Sequence, residues 1–454
     1  SSFLLNTSRP VCVSAIDEVE LISCNLENLY PAILESKELT IAIMQLLSST
    51  NDHLTNQVKK AYFYILFSIL VTLSLSIIFE KLPIVNKITN YPPNASKYMQ
   101  KIQNSRDESL KYGKDSYGII DLRSTKISEN CFEKISVFDL NNNMKFDDLT
   151  EWPQKIPEGF YPKKLIEEGM EKKLNLKKVH EKGYDGTGVG IAIIDNTLLG
   201  DHLEIKNNLK FYKSYSNENE IASMHGIAMA SIAVGKNVGV APNADLYYIA
   251  DSRGGSIGKT IDFTYVAEDI LSVVELNQSL KNKIRVISIS TGYSQADVNE
   301  KRIKGIVELN NAIQKAKESN IEVLCLIPKN KINKFRSLTR TSYEDVTDFC
   351  NYKPYFPTDN PYGTLYVPTD KITYASNCGK SNYTYECWGG MSSIVPYVAG
   401  MYVLSCQADG NITFDDFFRI ANETAYQSEY IFEIYGKQKF KIINPEAIIN
   451  QLVS

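Results

Sequence analysis

Apolar residues along the chain are concentrated in runs that end at, or start from, single polar residues. Residues 189–194 are apolar and mostly β-branched, follow two glycines and lead directly to Asp195. Such a run predicts a strand that is buried on both faces of a parallel sheet. Small and apolar residues follow His225 with helical spacing, and residues 398–404 continue in the same way after Ser392. These two segments predict helices that carry a histidine and a serine near their amino ends.

Asp195, His225 and Ser392 have the side chains of a nucleophilic triad. In such a triad the serine attacks, the histidine transfers the proton and the carboxylate orients the histidine. The carboxyl ends of parallel strands form the edge of a sheet where ligands bind, and Asp195 is predicted to lie there. Each residue has a simpler interpretation: Asp195 could end a turn, His225 could be a core histidine and Ser392 could cap its helix. The chain order Asp, His, Ser is one that is known to build triads, and it favours catalysis.

The motifs around these residues resemble those of the subtilisin-like serine peptidases, the subtilases. The histidine helix is followed by Val238-Gly-Val-Ala-Pro242, which is similar to the Gly-Val-Ala-Pro segment of that family. The segment Gly390-Met-Ser-Ser-Ile-Val-Pro396 keeps the glycine, serine and proline of the family pattern Gly-Thr-Ser-Met-Ala-x-Pro. His202 follows Asp195 at a spacing found in many subtilases, and we expect it to be structural.

The resemblance covers about residues 183–408 and implies a subtilisin-like α/β fold, with a mostly parallel sheet flanked by helices. It implies a serine endopeptidase that hydrolyses peptide bonds through an acyl-enzyme, with Asp195, His225 and Ser392 as catalytic residues. A peptide or protein would be the substrate. The alternative is a catalytically silent protein of the same fold that acts by binding or regulation.

A second buried strand is predicted at residues 285–292, and its end is a candidate for substrate binding. The residues Ser290, Thr291 and Gly292 are similar to the Ser-Leu-Gly edge of subtilases, whose backbone pairs with an extended peptide. A glycine at this point allows two backbones to approach closely. We therefore expect the substrate to lie along this edge.

The oxyanion hole is the point at which the chain departs most from the family. After the predicted strand 321–327, subtilases have a Gly-Asn pair whose asparagine donates a hydrogen bond to the oxyanion, but this chain has Pro328-Lys329-Asn330. Losing such a donor costs on the order of 10²–10³ in kcat, a figure that comes from subtilisin itself. Either a bulge places Asn330 as the donor, or the Lys329 ammonium serves instead. Leu326 and Pro328 replace smaller residues and predict a shallow first specificity pocket.

Composition and charge indicate the size of the domains and the classes of partner and cofactor that the chain is expected to lack. The chain has 454 residues, of which 43% are hydrophobic and 22% are charged, enough for one large α/β domain and a smaller amino-terminal region. The net charge of -4 does not favour nucleic-acid binding. The loop 234–239 is short, and Glu204 is interpreted as an exposed turn residue, so we expect no metal and no other cofactor.

Cysteine spacing argues against zinc, because none of the eight cysteines forms a Cys-x-x-Cys pair. Cys325 and Cys406 lie in apolar runs and are predicted to be buried thiols. Cys350, Cys378 and Cys387 are close enough in sequence to allow a disulfide.

The amino-terminal part contains a candidate membrane anchor. Residues 61–79 carry no charge and are flanked by lysines, which predicts a transmembrane helix in a bacterial cell membrane. A buried core helix is the alternative, because serines and a threonine dilute the apolar run. The predicted organisation is an amino-terminal region at 1–60, the span at 61–79, a linker and lead-in at 80–160, and the peptidase domain at 161–454. The side of the membrane on which that domain lies stays open.

Overall fold

The structure of the protein is a computed structural model. It describes residues 103–104, 118–215, 221–255, 260–358, 360 and 363–454. The predicted membrane span at 61–79 lies outside these residues and stays a prediction. Within the described ranges, every helix is too short or too polar to cross a bilayer.

Strands and helices alternate through most of the described residues. The strands are, in chain order, β1 (Gln103–Asn104), β2 (Ile120–Asp121), β3 (Thr125–Lys126), β4 (Met144–Asp147), β5 (Gly190–Asp195), β6 (Leu209–Ser214), β7 (Asp245–Ala250), β8 (Ile261–Asp262), β9 (Ile284–Gly292), β10 (Ile303–Lys304), β11 (Glu322–Leu326), β12 (Phe335–Arg340), β13 (Tyr352–Pro354), β14 (Leu365–Val367), β15 (Asp370–Ala375), β16 (Tyr383–Trp388), β17 (Tyr426–Phe432) and β18 (Gly436–Ile442). The α-helices are α1 (Glu129–Phe132), α2 (Val137–Asn142), α3 (Pro162–Met170), α4 (Leu176–Glu181), α5 (Met224–Val234), α6 (Thr264–Ser279), α7 (Gln295–Asn299), α8 (Ile306–Glu318), α9 (Gly390–Ala408), α10 (Phe414–Glu423) and α11 (Pro445–Val453). Short 3₁₀ helices lie at Lys331–Lys334 and Phe349–Asn351.

A parallel sheet with the strand order β11-β9-β5-β7-β6 forms the centre of the fold. All six residues of β5 are buried, because it lies between β9 and β7 and is covered on both faces. The predicted α/β architecture is confirmed, and the apolar runs at 189–194, 285–292 and 321–327 form β5, β9 and β11. The carboxyl end of β5, which carries Asp195, lies at the edge where the site was predicted.

Alternate residues of β5 pack on opposite faces of the sheet. Ile191 and Ile193 belong to the core that contains α5 and α9, whereas Ala192 and Ile194 belong to the core that contains α6 and α8. Residues 393–406 of α9 are all buried, since this helix packs against α5, β9 and β5. The helix that follows Ser392 therefore crosses the middle of one face of the sheet.

Residues 118–160, the described part of the predicted linker and lead-in, join the sheet that precedes Ser392. Strands β2 and β4 extend β15 and β16 in the order β15-β16-β4-β2. Aromatic residues of the segment 118–160 form a separate core with Tyr385 of β16. They are Phe132, Phe146, Trp152 and Phe160. We call residues 118–160 the lead-in segment.

The remaining elements close the domain. Strands β13-β12-β14-β18-β17 form a third sheet, and β17 is its edge. Helix α10 begins after Thr413, whose hydroxyl caps the helix by accepting a hydrogen bond from the Asp416 N–H at 3.1 Å.

The structure describes the thiols of five cysteines, and all five are free: Cys325, Cys350, Cys378, Cys387 and Cys406. Cys325 and Cys406 are buried, as predicted. Cys350, Cys378 and Cys387 are also free, although their sequence spacing allowed a disulfide.

Candidate active site

Asp195 and His225 form a close pair at the carboxyl edge of the central sheet. The Nδ1 atom of His225 lies 2.7 Å from Oδ1 of Asp195, and the exposed fractions of the two side chains are 31% and 4%. The same carboxylate oxygen accepts a hydrogen bond from the Asn196 N–H at 2.7 Å. A proton on Nδ1 satisfies the buried carboxylate and leaves Nε2 as the basic nitrogen of the ring.

The helix start of α5 determines where His225 lies. The hydroxyl of Ser223 caps the helix by accepting a hydrogen bond from the His225 N–H at 3.2 Å. Gly226 then lets the first turn rest on the loop after β5, because an added Cβ would lie 2.7 Å from the carbonyl oxygens of Asn196 and Thr197. The glycine that follows the histidine in sequence is therefore required by close backbone contact.

Two carboxylates act on the imidazole of His225. Burial of the ring disfavours its charged form. The Asp195 carboxylate opposes this effect through its charge and its hydrogen bond, and the charge of the Glu386 carboxylate adds to this opposition. Together the two carboxylates outweigh burial and raise the pKa of His225 above its usual value. The sequence did not single out Glu386. Its only sequence signal is a charged residue within a largely aromatic strand shortly before Ser392.

Ser392 lies in the first turn of α9, above the end of β9. Gly390 has a φ of 60°, in the left-handed region that glycine adopts most easily, and it turns the chain into the helix. The Ser290 hydroxyl donates to the Ser392 carbonyl at 2.9 Å, and the Ser392 hydroxyl lies 3.5 Å from the Ser290 carbonyl oxygen. Among the described residues no hydrogen bond joins Ser392 to His225. Rotation of the Ser392 hydroxyl toward Nε2 is needed for proton transfer, and such hydrogen bonds often tighten only when substrate binds.

The predicted substrate edge is partly used by the fold itself. Thr291 accepts a hydrogen bond at its carbonyl from the Cys325 thiol at 3.2 Å, and the Tyr293 N–H donates to the Leu326 carbonyl at 3.0 Å. A Cβ added at Gly292 would lie 1.7 Å from that same Leu326 oxygen. The glycine at 292 is thus required by the approach of β11, which is a different contact from the substrate contact expected from the sequence.

The two candidate oxyanion donors lie in very different surroundings. The Asn330 side chain donates to the Val323 carbonyl at 2.9 Å and accepts from the Ile332 N–H at 3.1 Å, so it caps the 3₁₀ helix that follows. Lys329 is exposed and has a φ of 65°. The pairing of β11 with β9 shifts register between Cys325 and Leu326, but the Asn330 amide is engaged by Val323 and Ile332. Which of the two residues donates to an oxyanion stays a prediction.

We expect Lys329→Met to lower kcat by up to about 10²-fold with little change in KM, because an oxyanion donor acts mainly in the transition state. Asn330→Ala should leave kcat unchanged and lower the free energy of unfolding by about 1 kcal/mol, the usual cost of a lost cap. Steady-state kinetics and urea unfolding of both variants test this assignment. A fall in kcat confined to Asn330→Ala would reverse it.

His202 and Glu204 are both buried beside the site. His202 is fully buried, accepts at Nδ1 from the Glu204 N–H at 3.1 Å and contacts the Asn382 carbonyl through Nε2 at 3.0 Å, which fits the structural role expected for it. The interpretation of Glu204 as an exposed turn residue is wrong, since it is only 1% exposed. Its carboxylate accepts hydrogen bonds from the N–H groups of Asn237 and Val238, at 2.8 and 3.3 Å. The short loop after α5 folds back onto Glu204, which sequence spacing alone does not reveal.

Metal ligands are not clustered in the described part of the chain. No group of three or more His, Cys, Asp or Glu side chains is arranged there to hold an ion. The expectation that no metal takes part stays a prediction.

Comparison with known proteins shows a similarity to the subtilases. The model of the Peptidase S8 or subtilase family matches residues 186–327, which contain Asp195 and His225 and end before Ser392. Subtilisin E of Bacillus subtilis (strain 168) is 21% identical over 275 residues. Subtilisin of Bacillus pumilus is 22% identical over 247 residues, which cover 50% of this chain and 79% of that protein.

The similarity to the curated subtilisins is partial in length. The alignment with subtilisin E covers 56% of this chain and 62% of subtilisin E. Among solved structures, a cold adapted subtilisin-like serine proteinase is 20% identical, with a TM-score of 0.36, over 57% of this chain and 89% of that one. The Prenylagaramide maturation protease PagA is 16% identical, with a TM-score of 0.44, over 61% and 98% of the two chains.

Proposed function

We propose that this protein is a serine endopeptidase of the subtilase family that uses Asp195, His225 and Ser392. The observation that carries the proposal is the hydrogen-bonded pair of Asp195 and His225 at the carboxyl edge of the central sheet, with His225 on a helix that packs against α9, the helix with Ser392 in its first turn. The buried carboxylate orients the imidazole and leaves its Nε2 atom to act as a base. A serine at the amino end of a helix also presents its own backbone N–H to a developing oxyanion.

The reaction divides into two steps. The Ser392 Oγ attacks the peptide carbonyl carbon while His225 takes the hydroxyl proton, and the carbonyl oxygen becomes an oxyanion near the Ser392 N–H and the Lys329 ammonium. The C–N bond then breaks, and His225 returns the proton to the leaving amine. Water then attacks the acyl carbon of the acyl-enzyme, and His225 takes a proton from it. The ester bond to Ser392 breaks, His225 returns the proton to the Ser392 Oγ, and the acid is released. Asp195 remains ionised throughout and stabilises the imidazolium.

A fluorophosphonate probe applied to the full chain tests the proposal. We expect a covalent adduct on Ser392, detected by mass spectrometry, and its complete loss in Ser392→Ala. The matched control is Ser381→Ala, at an exposed serine, which should be labelled as the wild type is. An absence of labelling in the wild type between about pH 8 and 9, where a histidine base with a raised pKa should be neutral, would contradict the proposal.

A catalytically silent binding or regulatory protein is the second candidate. Two observations favour it: the Ser392 hydroxyl faces the Ser290 carbonyl, and the Asn330 amide is used as a helix cap. A silent protein would bind peptides along the β9 edge without cleaving them. Fluorescence anisotropy with a peptide library, together with the probe experiment, distinguishes binding alone from turnover.

We also propose that residues 61–79 tether the peptidase to a bacterial cell membrane. The support is the uncharged run itself, since nothing in the described residues bears on it. Carbonate extraction of membranes tests the tether: the full chain should remain with the lipid, and a chain that lacks residues 61–79 should be released.

A further inference from the structure

We propose that Glu386 is a positioning residue of this site, whose carboxylate stabilises the protonated imidazole of His225, and that cations of the lead-in segment keep Glu386 ionised. The inference rests on the proposed function, because it concerns the base of the same site. It assigns a role in the active site to a segment that precedes the first catalytic strand in sequence.

A single tyrosine connects Glu386 to the helix of His225. The Tyr374 hydroxyl donates a hydrogen bond to Oε2 of Glu386 at 2.7 Å. The same hydroxyl lies 3.7 Å from the sulfur of Met224, the residue directly before His225 in α5. Tyr374 is only 1% exposed, so this connection is shielded from solvent. The carboxylate of Glu386 therefore lies close to the amino end of α5, where a negative charge is favourable.

The lead-in segment contributes three charged residues near Glu386: two cations and one carboxylate. Glu386 is paired across the sheet with Lys145 of β4. Arg123 makes hydrogen bonds of 2.9 and 2.6 Å to the two oxygens of Asp121, and Lys145 lies 3.7 Å from the same carboxylate. We call Asp121, Arg123 and Lys145 the lead-in charge cluster. With Glu386 ionised, its two cations balance two carboxylates.

The protonation state of Glu386 depends on this cluster. The pKa of Glu386 is raised overall, because burial is the largest effect and the Asp121 charge adds to it. The Tyr374 hydrogen bond and the charges of Lys145 and Arg123 limit this rise. Removing a cation should therefore allow Glu386 to take up a proton at higher pH. Its support for the charged form of His225 would then be lost.

The direct and indirect effects of Lys145 on His225 have opposite signs, which makes the inference testable. A cation that merely repelled the imidazolium would, on removal, leave His225 with a higher pKa. A cation that acts through Glu386 would, on removal, leave His225 with a lower pKa. In the absence of the Glu386 charge, the indirect effect disappears.

The experiment is an NMR titration of histidine-labelled full chain, which contains only four histidines. We expect Glu386→Gln, which keeps the shape and the acceptor for Tyr374, to lower the pKa of His225. The control Glu433→Gln removes an exposed carboxylate in the turn between β17 and β18 and should leave it unchanged. Lys145→Met should also lower the pKa of His225 in the wild-type background. In the Glu386→Gln background Lys145→Met should no longer lower the pKa of His225.

An unchanged pKa of His225 in Glu386→Gln, compared with Glu433→Gln, would overturn the inference, as would a rise in Lys145→Met. If Glu386→Gln does not fold, Tyr374→Phe takes its place, because loss of its hydrogen bond should act in the same direction.

The titration needs no turnover. A lowered pKa in a chain that no phosphonate labels would therefore support the role of Glu386 and reject the proposed peptidase. In an active enzyme, the acid limb of kcat/KM should shift to lower pH by the same amount as the titration, with KM unchanged.

Discussion

Replacing either His225 or Ser392 by alanine should abolish peptide hydrolysis by the full chain. The expected loss in kcat is on the order of 10⁶, the figure known for the corresponding residues of subtilisin. Serine supplies the attacking oxygen and histidine the base, so either loss removes the covalent step, and the double variant should be little worse than each single variant. Initial rates on a casein-derived peptide pool, followed by mass spectrometry, measure all three variants.

The exposed serine variant Ser381→Ala serves as the control and should keep the wild-type rate. His202→Ala removes a buried structural histidine, so any effect it has should follow the fraction of folded protein and leave the activity of the folded protein largely intact. Cleavage at the wild-type rate by a chain that lacks His225 would reject the triad assignment. Losses that add fully in the double variant would also contradict it, because they would mean that the two residues act independently.

Replacing Gly292 by alanine should be the most damaging single-methyl change near the substrate edge. An ideal Cβ there would overlap the Leu326 carbonyl, with 1.7 Å to its oxygen and 2.2 Å to its carbon. Both atoms belong to backbone, so β11 must move away from β9, and the hydrogen bond from the Tyr293 N–H to the Leu326 carbonyl should be strained. Overpacking of this kind costs about 1–3 kcal/mol in the free energy of unfolding.

Gly410→Ala is the matched control, because nothing lies within 4 Å of a Cβ added there. Urea unfolding of the two variants gives the difference in the free energy of unfolding, and peptide kinetics gives the effect on the site. We expect Gly292→Ala to lose both stability and kcat/KM, and Gly410→Ala to lose neither. Equal stability of the two variants would mean that β9 and β11 separate without cost, and the structural role assigned to Gly292 would be wrong.

Local pattern was enough to predict the main elements that carry the site. The apolar run at 189–194 is long enough and sufficiently β-branched to identify β5 as a buried strand, and the helices that begin near His225 and Ser392 follow from their apolar spacing. A strand end and two helix starts are local features. Their side chains could therefore be assigned to a common edge of the sheet before any contact was known.

The contacts that decide how the site works come from residues far apart in sequence. Glu204 is buried because the loop after α5 returns to its carboxylate. Gly292 is required by a neighbouring strand. None of these partners can be predicted from the spacing of polar residues, since each depends on which strands and loops become neighbours.

The sequence by itself determined the fold class, the order of the three candidate catalytic residues and the type of chemistry that they would perform, because these depend on residue identity and local periodicity. Only the tertiary structure decided which groups surround them. It brought Glu386 toward His225 through Tyr374, and it brought Lys145 of the lead-in segment beside Glu386. The reason is physical: electrostatic effects depend on distance and burial, and both are properties of the packed chain.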